Sequence, residues 1–385
     1  MPSAGEIQRW RAEFPITERS IYLNSCSLTP LPKRGAAALA EYARTWTELG
    51  GRAWYQHWVG LLDGLRADFA RVLGAALEEV ALEPAVSAAL VTIASSFDYS
   101  KRNKVVVADI DFPTDGHTWL ALAKAGVEVE FVRSPDGATV PLELFERAVD
   151  ERTALVCTGH VYYTSGYIQD VAGLAEICHR KGAALVVDGY QSIGALPFDV
   201  HASGVDFLVG GTLKWLMGGP GMAFLYARRD RIAAARPTAI GWWAMRDPFA
   251  FDVRHVDLSP TARRFEYGTP AVAAAYTARA GIALVEEIGI ATVRERHMAL
   301  SQRLVEGALA QGWELGCVRE AERRSPIVTL KHPDPAQVVD VLRANDCIVD
   351  FRPGLVRLSP HHFNTEDEID ATLELLAPLR ERVPA

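Results

Sequence analysis

The stretch AALVVDGYQSIGALPFDVHASGVDFLVGGTLKWLMGGPGMAFLYA, residues 183–227, sets the fold class. It contains three short apolar runs separated by polar and glycine-rich segments: AALVVD from residue 183, DFLVGG from 206 and GMAFLYA from 221. Short apolar runs bounded by turn residues are typical of strands buried in a sheet. Asp188 and Lys214 lie where the first two runs end. These two residues are therefore the first candidates for function.

The same pattern continues towards the N-terminus. The runs KVVVAD from residue 104, VEVEFV from 127 and ALVCTGHV from 154 alternate with helical stretches, and the alternation extends from about residue 55 to 235. Strands that alternate with helices need crossover connections, which produce a largely parallel sheet with helices on both faces. The sequence predicts an α/β fold whose ligand binds at the carboxyl ends of the strands.

The pattern changes after residue 270. AVAAAYTARAGIALVEEI is typical of a connecting helix, and PIVTL, PAQVVDVLRAN, CIVDF and LVRLS then indicate strand, helix, strand and strand. A last helix begins at Thr365, which fits a capping box with Glu368. We expect an N-terminal segment (residues 1–50) packed on the small domain, a large ligand-binding domain (51–270) and a small C-terminal α/β domain (271–385).

Composition excludes several classes of partner. The chain has 385 residues, and 48 acidic against 40 basic residues give a net charge of -8, which disfavours nucleic acid and anionic membranes. No secretory leader and no apolar run of about 18 residues is evident, so we expect a cytoplasmic protein. The five cysteines are scattered without a C-x-x-C pair, so neither a disulfide framework nor a zinc site is indicated.

Lys214 and Asp188 have functional and ordinary interpretations. Lys214 lies between the run DFLVGG and the turn sequence Gly-Gly-Pro-Gly, at the ligand-binding edge of the sheet, although most lysines are solvated surface residues. Asp188 ends a buried run, where a carboxylate is costly without a cationic partner. The alternative for Asp188 is a cap on the following helix.

Further candidates lie near the same edge. Gln191 follows Asp188 by three residues, with a plain polar loop residue as its alternative. Phe112 lies three residues after the end of KVVVAD, and its ring could stack on a flat heterocycle or fill the core. Val86 and Ser87 resemble the opening of a helix, where free N–H groups and a hydroxyl suit a phosphate; an ordinary serine cap is the alternative.

The segment DGYQSIGALPFDVHASGVDFLVGGTLKWLMGGPG resembles the cofactor segment of class V aminotransferase-fold enzymes, which belong to the pyridoxal-phosphate (PLP) dependent fold type I. The resemblance continues in order through YLN near residue 22, SGYIQDVAGLAEICHRKG, RFEYGTP and VRLSPHHFNTEDEID, so it covers nearly the whole chain. It implies a mostly parallel sheet with helices on both faces and a smaller α/β C-terminal domain.

The resemblance implies a role in binding the cofactor PLP for Val86, Ser87, Phe112, Asp188, Gln191, Lys214 and Thr269. Lys214 would hold PLP as a Schiff base and then move protons at the substrate's Cα. Asp188 would bind the pyridine nitrogen, Gln191 would face the 3-hydroxyl, and Ser87 with the Val86 backbone would hold the phosphate.

The resemblance also implies partners. Thr269 would reach the phosphate of the neighbouring subunit, so the active unit would be a homodimer. Arg357 would form a bidentate pair with the α-carboxylate of a small amino-acid substrate, with a partly exposed strand arginine as the alternative. His160 and Tyr162 are candidate proton relays in contact with substrate, and Trp243 could wall the substrate pocket or lie in a subunit interface.

Comparison with desulfurases and kynureninases narrows the set of reactions that the chain could catalyse. Desulfurases of this fold have a His before the lysine and a nucleophilic Cys ahead of the arginine, where this chain has Leu213 and the cysteine-free DFRPGL. Phe-Pro-Thr-Asp at residues 112–115 resembles kynureninases and related C–S lyases. Kynureninases, however, have a Tyr before the lysine and a His at the position of Gln191.

We therefore expect a lyase that binds the amino acid covalently through PLP and cleaves a Cβ–X bond, such as C–S. The alternatives are a class V aminotransferase, a kynureninase-like hydrolase and a catalytically inactive PLP-fold binding protein. Retention of Lys214 and Asp188 argues against the inactive protein. A dinucleotide-binding dehydrogenase is disfavoured because no G-x-G-x-x-G follows an early strand.

Overall fold

A computed structural model describes residues 2–380 of the chain. The outermost ends of the predicted first and last parts, Met1 and residues 381–385, lie outside that range. The N-terminal part comprises α1 (Ala4–Arg11), β1 (Ile21–Tyr22) and α2 (Lys33–Leu49). α1 begins at a capping box in which the Ser3 side chain accepts from the Glu6 backbone N–H.

The central part of the chain contains the strands β2 (Val80–Glu83), β3 (Lys104–Ala108), β4 (Glu128–Val132), β5 (Thr153–Gly159), β6 (Ala184–Asp188), β7 (Phe207–Gly211) and β8 (Ala223–Ala227). Its helices are α3 (Val59–Leu73), α4 (Val86–Ala94), α5 (Pro113–Leu120), α6 (Leu142–Ala148), α7 (Val171–Arg180), α8 (Val200–Ser203) and α9 (Arg229–Ala234). The six runs predicted as strands are all strands.

These strands form one sheet of seven in the order β2-β8-β7-β6-β5-β3-β4. The neighbours from β7 to β4 are parallel, whereas β8 is antiparallel to both β7 and β2. The segment between β7 and β8 is a short glycine-rich turn, and a parallel crossover needs a dozen or more residues, usually a helix. The predicted mostly parallel sheet is confirmed, and β8 is its antiparallel exception.

Helices cover both faces of this sheet, and apolar side chains fill both layers. Alternate residues of β3 enter different cores: Val106 joins one cluster, and Val105 and Val107 join the other. This alternation follows from the two-residue period of a strand and explains why strands buried on both faces are apolar throughout.

The C-terminal part begins with α10 (Val272–Ile288) and α11 (Ile290–Ala310), which meet at Gly289. It continues with β9 (Val328–Lys331), α12 (Pro335–Ala344), β10 (Cys347–Ile348), β11 (Asp350–Arg352), β12 (Leu355–Leu358) and α13 (Glu366–Leu376). The Thr365–Glu368 capping box of α13 is confirmed. CIVDF, predicted as one strand, is two: β10 pairs with β1, and β11 pairs with β12.

The N-terminal segment contacts both other parts. β1 pairs parallel with β10, and Leu23 belongs to the apolar core of the C-terminal part. α2 packs against α10 of the same C-terminal part. The Thr29 N–H, by contrast, donates to the Leu213 carbonyl of the central part at 3.2 Å. The residue bounds of the domains stay a prediction. Within residues 2–380, no helix is long and apolar enough to cross a membrane.

Candidate active site

The loops that follow β3, β5, β6 and β7 meet at one edge of the sheet because these strands are neighbours. Together they enclose a small buried pocket. Its lining residues are Asp111, Phe112, Asp115, Gly159, Val161, Tyr162, Tyr163, Asp188, Tyr190, Gln191 and Lys214. The structure therefore brings Lys214, Asp188, Gln191, Phe112 and Tyr162 together, although they come from distant parts of the sequence.

Lys214 lies in the turn after β7, with 9% of its surface exposed. The Met217 N–H donates to the Lys214 carbonyl at 3.0 Å, and Met217 adopts φ 56°, a left-handed conformation uncommon for a residue with a side chain. Gly194 (φ 91°) packs so closely that a Cβ there would lie 2.7 Å from the carbonyl of Trp215. Tight packing thus fixes the backbone that directly follows the lysine.

The amine of Lys214 lies among aromatic rings. Its Nζ is 4.2 Å from the ring centroid of Tyr190 and 5.8 Å from that of Phe112. Burial lowers the pKa of Lys214 to about 8, although the negative charge of Asp188 opposes the shift. An ordinary lysine has a pKa of about 10.4. Near neutral pH, a far larger fraction of the Lys214 amine is therefore in the neutral, nucleophilic form.

We expect Lys214 in the ligand-free protein to react with an amine-directed acylating reagent at a rate that rises with pH and levels off above about pH 8. Peptide mass spectrometry after short labelling pulses measures the rate. Lys181, whose side chain is 42% exposed, serves as the comparison in the same digest. Identical pH profiles for the two lysines would contradict the lowered pKa.

Three carboxyl groups share the pocket with this single amine. Asp188 is 8% exposed, and its Oδ1 accepts from the Tyr190 N–H at 2.7 Å. Burial raises the pKa of Asp188. The hydrogen bond from the Tyr190 N–H and the positive charge of Lys214 act in the opposite direction but are outweighed. Asp111 accepts from the N–H groups of Gly159 and Ala108 at 2.7 and 2.9 Å, yet burial raises its pKa to about 7.

Asp115 is the most unusual of the three. It is 1% exposed, and neither of its carboxyl oxygens has a hydrogen-bond partner within residues 2–380. Burial, and then the negative charges of Asp188 and Asp111, raise its pKa well above the ordinary value. Buried carboxyl groups without partners are costly, so this cluster is suited to a bound cationic group. The protonated ring nitrogen of PLP is such a group.

Groups that could bind the phosphate of PLP lie at the starts of two helices. α4 begins at Val86 with no side-chain cap on its N-terminus, and the Ser87 Oγ lies 3.5 Å from the Thr114 Oγ1 in the first turn of α5. Two helix starts therefore direct their N–H groups and hydroxyls to one place, which favours an anion. Phe112, 44% exposed and edge-to-face with Tyr163 at 5.3 Å, leaves a ring face open for stacking. The residues around the pocket are therefore chemically suited to PLP.

Arg357 lies on β12 and is 1% exposed. Its Nη2 pairs with the Asp350 Oδ2 at 2.7 Å, and its Nη1 donates to the Tyr163 carbonyl at 2.9 Å. The Nε of Arg357 has no partner among the described residues. Tyr163 lines the pocket, so the hydrogen bond to its carbonyl links the Arg357 guanidinium to the site. The alternative of a partly exposed strand arginine does not describe a side chain this deeply buried.

Besides Val86, Ser87 and Arg357, three more predicted residues lie outside the lining of this pocket. His160 packs its ring against Phe198 at 4.8 Å, and burial lowers its pKa to about 4. Trp243 is 3% exposed and stacks near Arg263, whereas its neighbour Trp242 is 38% exposed. Thr269 is exposed and lines two other cavities. Any role of these three in substrate or cofactor binding stays a prediction.

Sequence reasoning did not single out four residues at this site: Asp111, Thr114, Asp115 and Tyr190. Asp111 precedes Phe112 in the loop after β3, Thr114 and Asp115 follow it in the first turn of α5, and Tyr190 lies between Asp188 and Gln191. Their position beside residues already selected was the available signal. Their contacts, however, join different loops and become visible only in three dimensions.

Comparisons with known proteins agree with this geometry. A sequence model of the family described as Aminotransferase class-V matches residues 21–371. An uncharacterized aminotransferase of Bacillus subtilis is 34% identical over 370 residues, which cover 96% of this chain and 97% of that protein. A kynureninase of Geobacillus thermodenitrificans is 30% identical over 371 residues, which cover 92% of this chain and 86% of the kynureninase.

Solved structures share the whole architecture. The apo structure of a cysteine desulfurase from Thermococcus onnurineus superposes with a TM-score of 0.88 at 25% identity, covering 99% of both chains. Fold type I, predicted from the sequence, is confirmed. The family match extends over most of the chain, and the pocket carries a buried lysine and carboxylates suited to PLP. The chain belongs to the class V aminotransferase family of PLP-dependent enzymes.

Proposed function

We propose that this enzyme binds a small α-amino acid and cleaves a bond at its Cβ, with Lys214 moving the proton at Cα. One observation carries the proposal: the Lys214 amine is buried with Asp188 in a pocket that contacts Arg357 through Tyr163. When bound there, PLP withdraws electrons from the substrate's Cα and so weakens the bonds around it. The chain's own residues supply binding, orientation and proton transfer.

Charge balance at the β11–β12 hairpin favours one substrate carboxylate. Asp350 pairs with both Arg352 and Arg357, at 2.8 and 2.7 Å. Burial raises the pKa of Asp350, but the two guanidinium groups outweigh this and lower it. Two cations against one anion leave a surplus positive charge, and the Nε of Arg357, which has no partner within residues 2–380, supplies a donor. A monocarboxylate would neutralise the surplus.

Lys214 is suited to exchange a proton at Cα. A general base works best when its pKa lies near the working pH, and burial lowers the pKa of Lys214 to about 8. The aromatic rings of Tyr190 and Phe112 surround its Nζ. These rings limit access of water to the amine and so favour transfer to the substrate.

The reaction class rests on the surroundings of the lysine. All five cysteines are buried, and none lies in β11, β12 or the turn between them. This arrangement disfavours a mobile thiol that attacks substrate sulfur. Phe112 opens the Phe-Pro-Thr-Asp stretch that resembles kynureninases and related C–S lyases, and this resemblance supports Cβ cleavage. The second candidate is transamination, because the Bacillus subtilis relative is named an aminotransferase.

We also propose a homodimer in which Thr269 reaches the phosphate site of the partner. Thr269 is exposed and lies outside its own Lys214 pocket. It borders an apolar cavity of about 920 Å³ whose lining includes Leu28, Leu31 and Trp46, all at least 45% exposed. Large exposed apolar patches mark protein interfaces, and a second copy would cover this one.

Product analysis distinguishes the candidate reactions. We expect the holoenzyme to release a thiol, pyruvate and ammonia from a cysteine S-conjugate, with one water consumed and no keto acid needed as acceptor. Kynurenine and pairs of amino donor and keto-acid acceptor complete the substrate panel. Formation of a new amino acid only in the presence of an acceptor, without a Cβ fragment, would contradict the lyase and support transamination. The Lys214→Ala variant is the blank.

A further inference from the structure

Trp215, the residue after Lys214, is fully buried and bonded to another site residue. Its indole Nε1 donates to the Oε1 of Gln191 at 3.0 Å. The rings of His297 and His361 pack against the indole, each with its centroid 5.3 Å away. Gln191 lines the pocket beside Lys214. Trp215 therefore connects the C-terminal part of the chain to a side chain of the cofactor site.

The contacts of Gln191 fix which way its amide points. An indole N–H can only donate, so the atom facing Trp215 is the carbonyl oxygen of the amide. The Nε2 of Gln191 donates to the backbone carbonyl of Cys26 at 2.9 Å, and that carbonyl can only accept. Because the two partners have opposite roles, a flipped amide would lose both bonds. One hydrogen on Nε2 remains for another acceptor.

We propose that Trp215 is a positioning residue that holds the Gln191 amide so that its remaining Nε2–H faces the 3-oxygen of bound PLP. The inference rests on the proposed function, because it takes Gln191 to lie at that side of the cofactor. A donor at this position stabilises the negative form of the oxygen. The oxygen then holds less tightly the proton that it shares with the Lys214 nitrogen. Trp215 would therefore set the pH at which that proton leaves.

The test is Trp215→Phe, which keeps an aromatic ring against His297 and His361 but removes the indole N–H. The readout is the visible absorption band of the holoenzyme as a function of pH, without turnover. We expect the midpoint of the titration to rise by about one pH unit, the size of effect that a single hydrogen bond to a charged group produces. An unchanged midpoint would overturn the proposal.

Trp313→Phe is the matched control. Trp313 is also buried (3% exposed), lies in the core of the C-terminal part, and its Nε1 has no partner among the described residues. The same chemical change there should leave the midpoint where it is. Gln191→Leu should shift the midpoint as Trp215→Phe does, and the double variant no further, because both remove one interaction. Additive shifts would contradict action through Gln191.

A measurement on the ligand-free protein keeps the proposal testable if Trp215→Phe fails to fold. The indole N–H of Trp215 should exchange with solvent at least about tenfold faster in Gln191→Leu than in the native protein, because one hydrogen bond is lost. The exchange of Trp313 should not change. Equal exchange of Trp215 in both proteins would overturn the proposal. A protein that binds no PLP would instead refute the proposed function, so the two failures are distinguishable.

Discussion

Replacement of Lys214 by alanine is expected to lower turnover at least about a thousandfold, because in the proposed function this one side chain supplies both the covalent attachment of the cofactor and the proton transfer at Cα. The native holoenzyme, reduced with borohydride and digested, should carry the cofactor mass on the peptide that contains Lys214. The variant should carry none, although it can still bind PLP noncovalently through the groups near Ser87 and Asp188.

The fold of Lys214→Ala should survive. Burial lowers the pKa of Lys214 to about 8, below its ordinary value of about 10.4, so below pH 8 the ligand-free native protein bears the cost of a buried ammonium. That cost falls as the pH rises from about 8 to about 10.4, the interval between the two pKa values. The variant lacks it, so we expect its ligand-free Tm at pH 7 to equal or exceed the native value.

Lys181→Ala is the matched control for both measurements. Lys181 is half exposed and pairs with Glu151 at 2.9 Å on the surface, so its removal should change neither turnover nor cofactor attachment. A Lys214→Ala variant with native turnover, or a cofactor adduct on another lysine, would refute the assignment of the catalytic lysine.

Asp188→Asn is the second large effect, with an expected loss of about a hundredfold to a thousandfold in kcat. Asn keeps an oxygen that can accept from the Tyr190 N–H, which Asp188 binds at 2.7 Å, but it lacks the negative charge. Without that charge the ring nitrogen of PLP loses its proton more readily, and the cofactor withdraws electrons less strongly. Steady-state kinetics at saturating PLP measures the loss.

Asp170→Asn is the matched control, because Asp170 has the role of a helix cap, which is the alternative interpretation of Asp188. The Asp170 side chain caps α7 by accepting from the Gly173 N–H at 3.0 Å, and Asn is an equally good cap. We expect full activity from this variant. If Asp188→Asn is equally active, Asp188 is only a turn residue, and its charge has no part in the reaction.

Much of the site could be predicted because its signals are local. Lys214 and Asp188 were identified from their positions at the ends of two apolar runs, and the order of the motifs supplied the family. The Thr365–Glu368 capping box lies within one helical turn and was also predictable. Strand period, turn residues and helix caps are properties of a few neighbouring residues, which a sequence contains in full.

Other features depend on contacts between distant segments. The antiparallel direction of β8, the split of CIVDF into β10 and β11, and the bond from Trp215 to Gln191 each require a partner that adjacent residues do not specify. Asp115 was not selected from the sequence. The fold places it beside two other carboxyl groups, and its oxygens have no hydrogen-bond partner among the described residues.

The sequence by itself determined the α/β class, the family and the cofactor, and it selected Lys214 as the candidate for attaching that cofactor, because each rests on residue types in a fixed local order. Only the tertiary structure decided how charged the site is. Burial and the closeness of groups set the pKa values of Lys214, Asp111 and Asp115, and both quantities arise when separate loops pack together at the edge of the sheet.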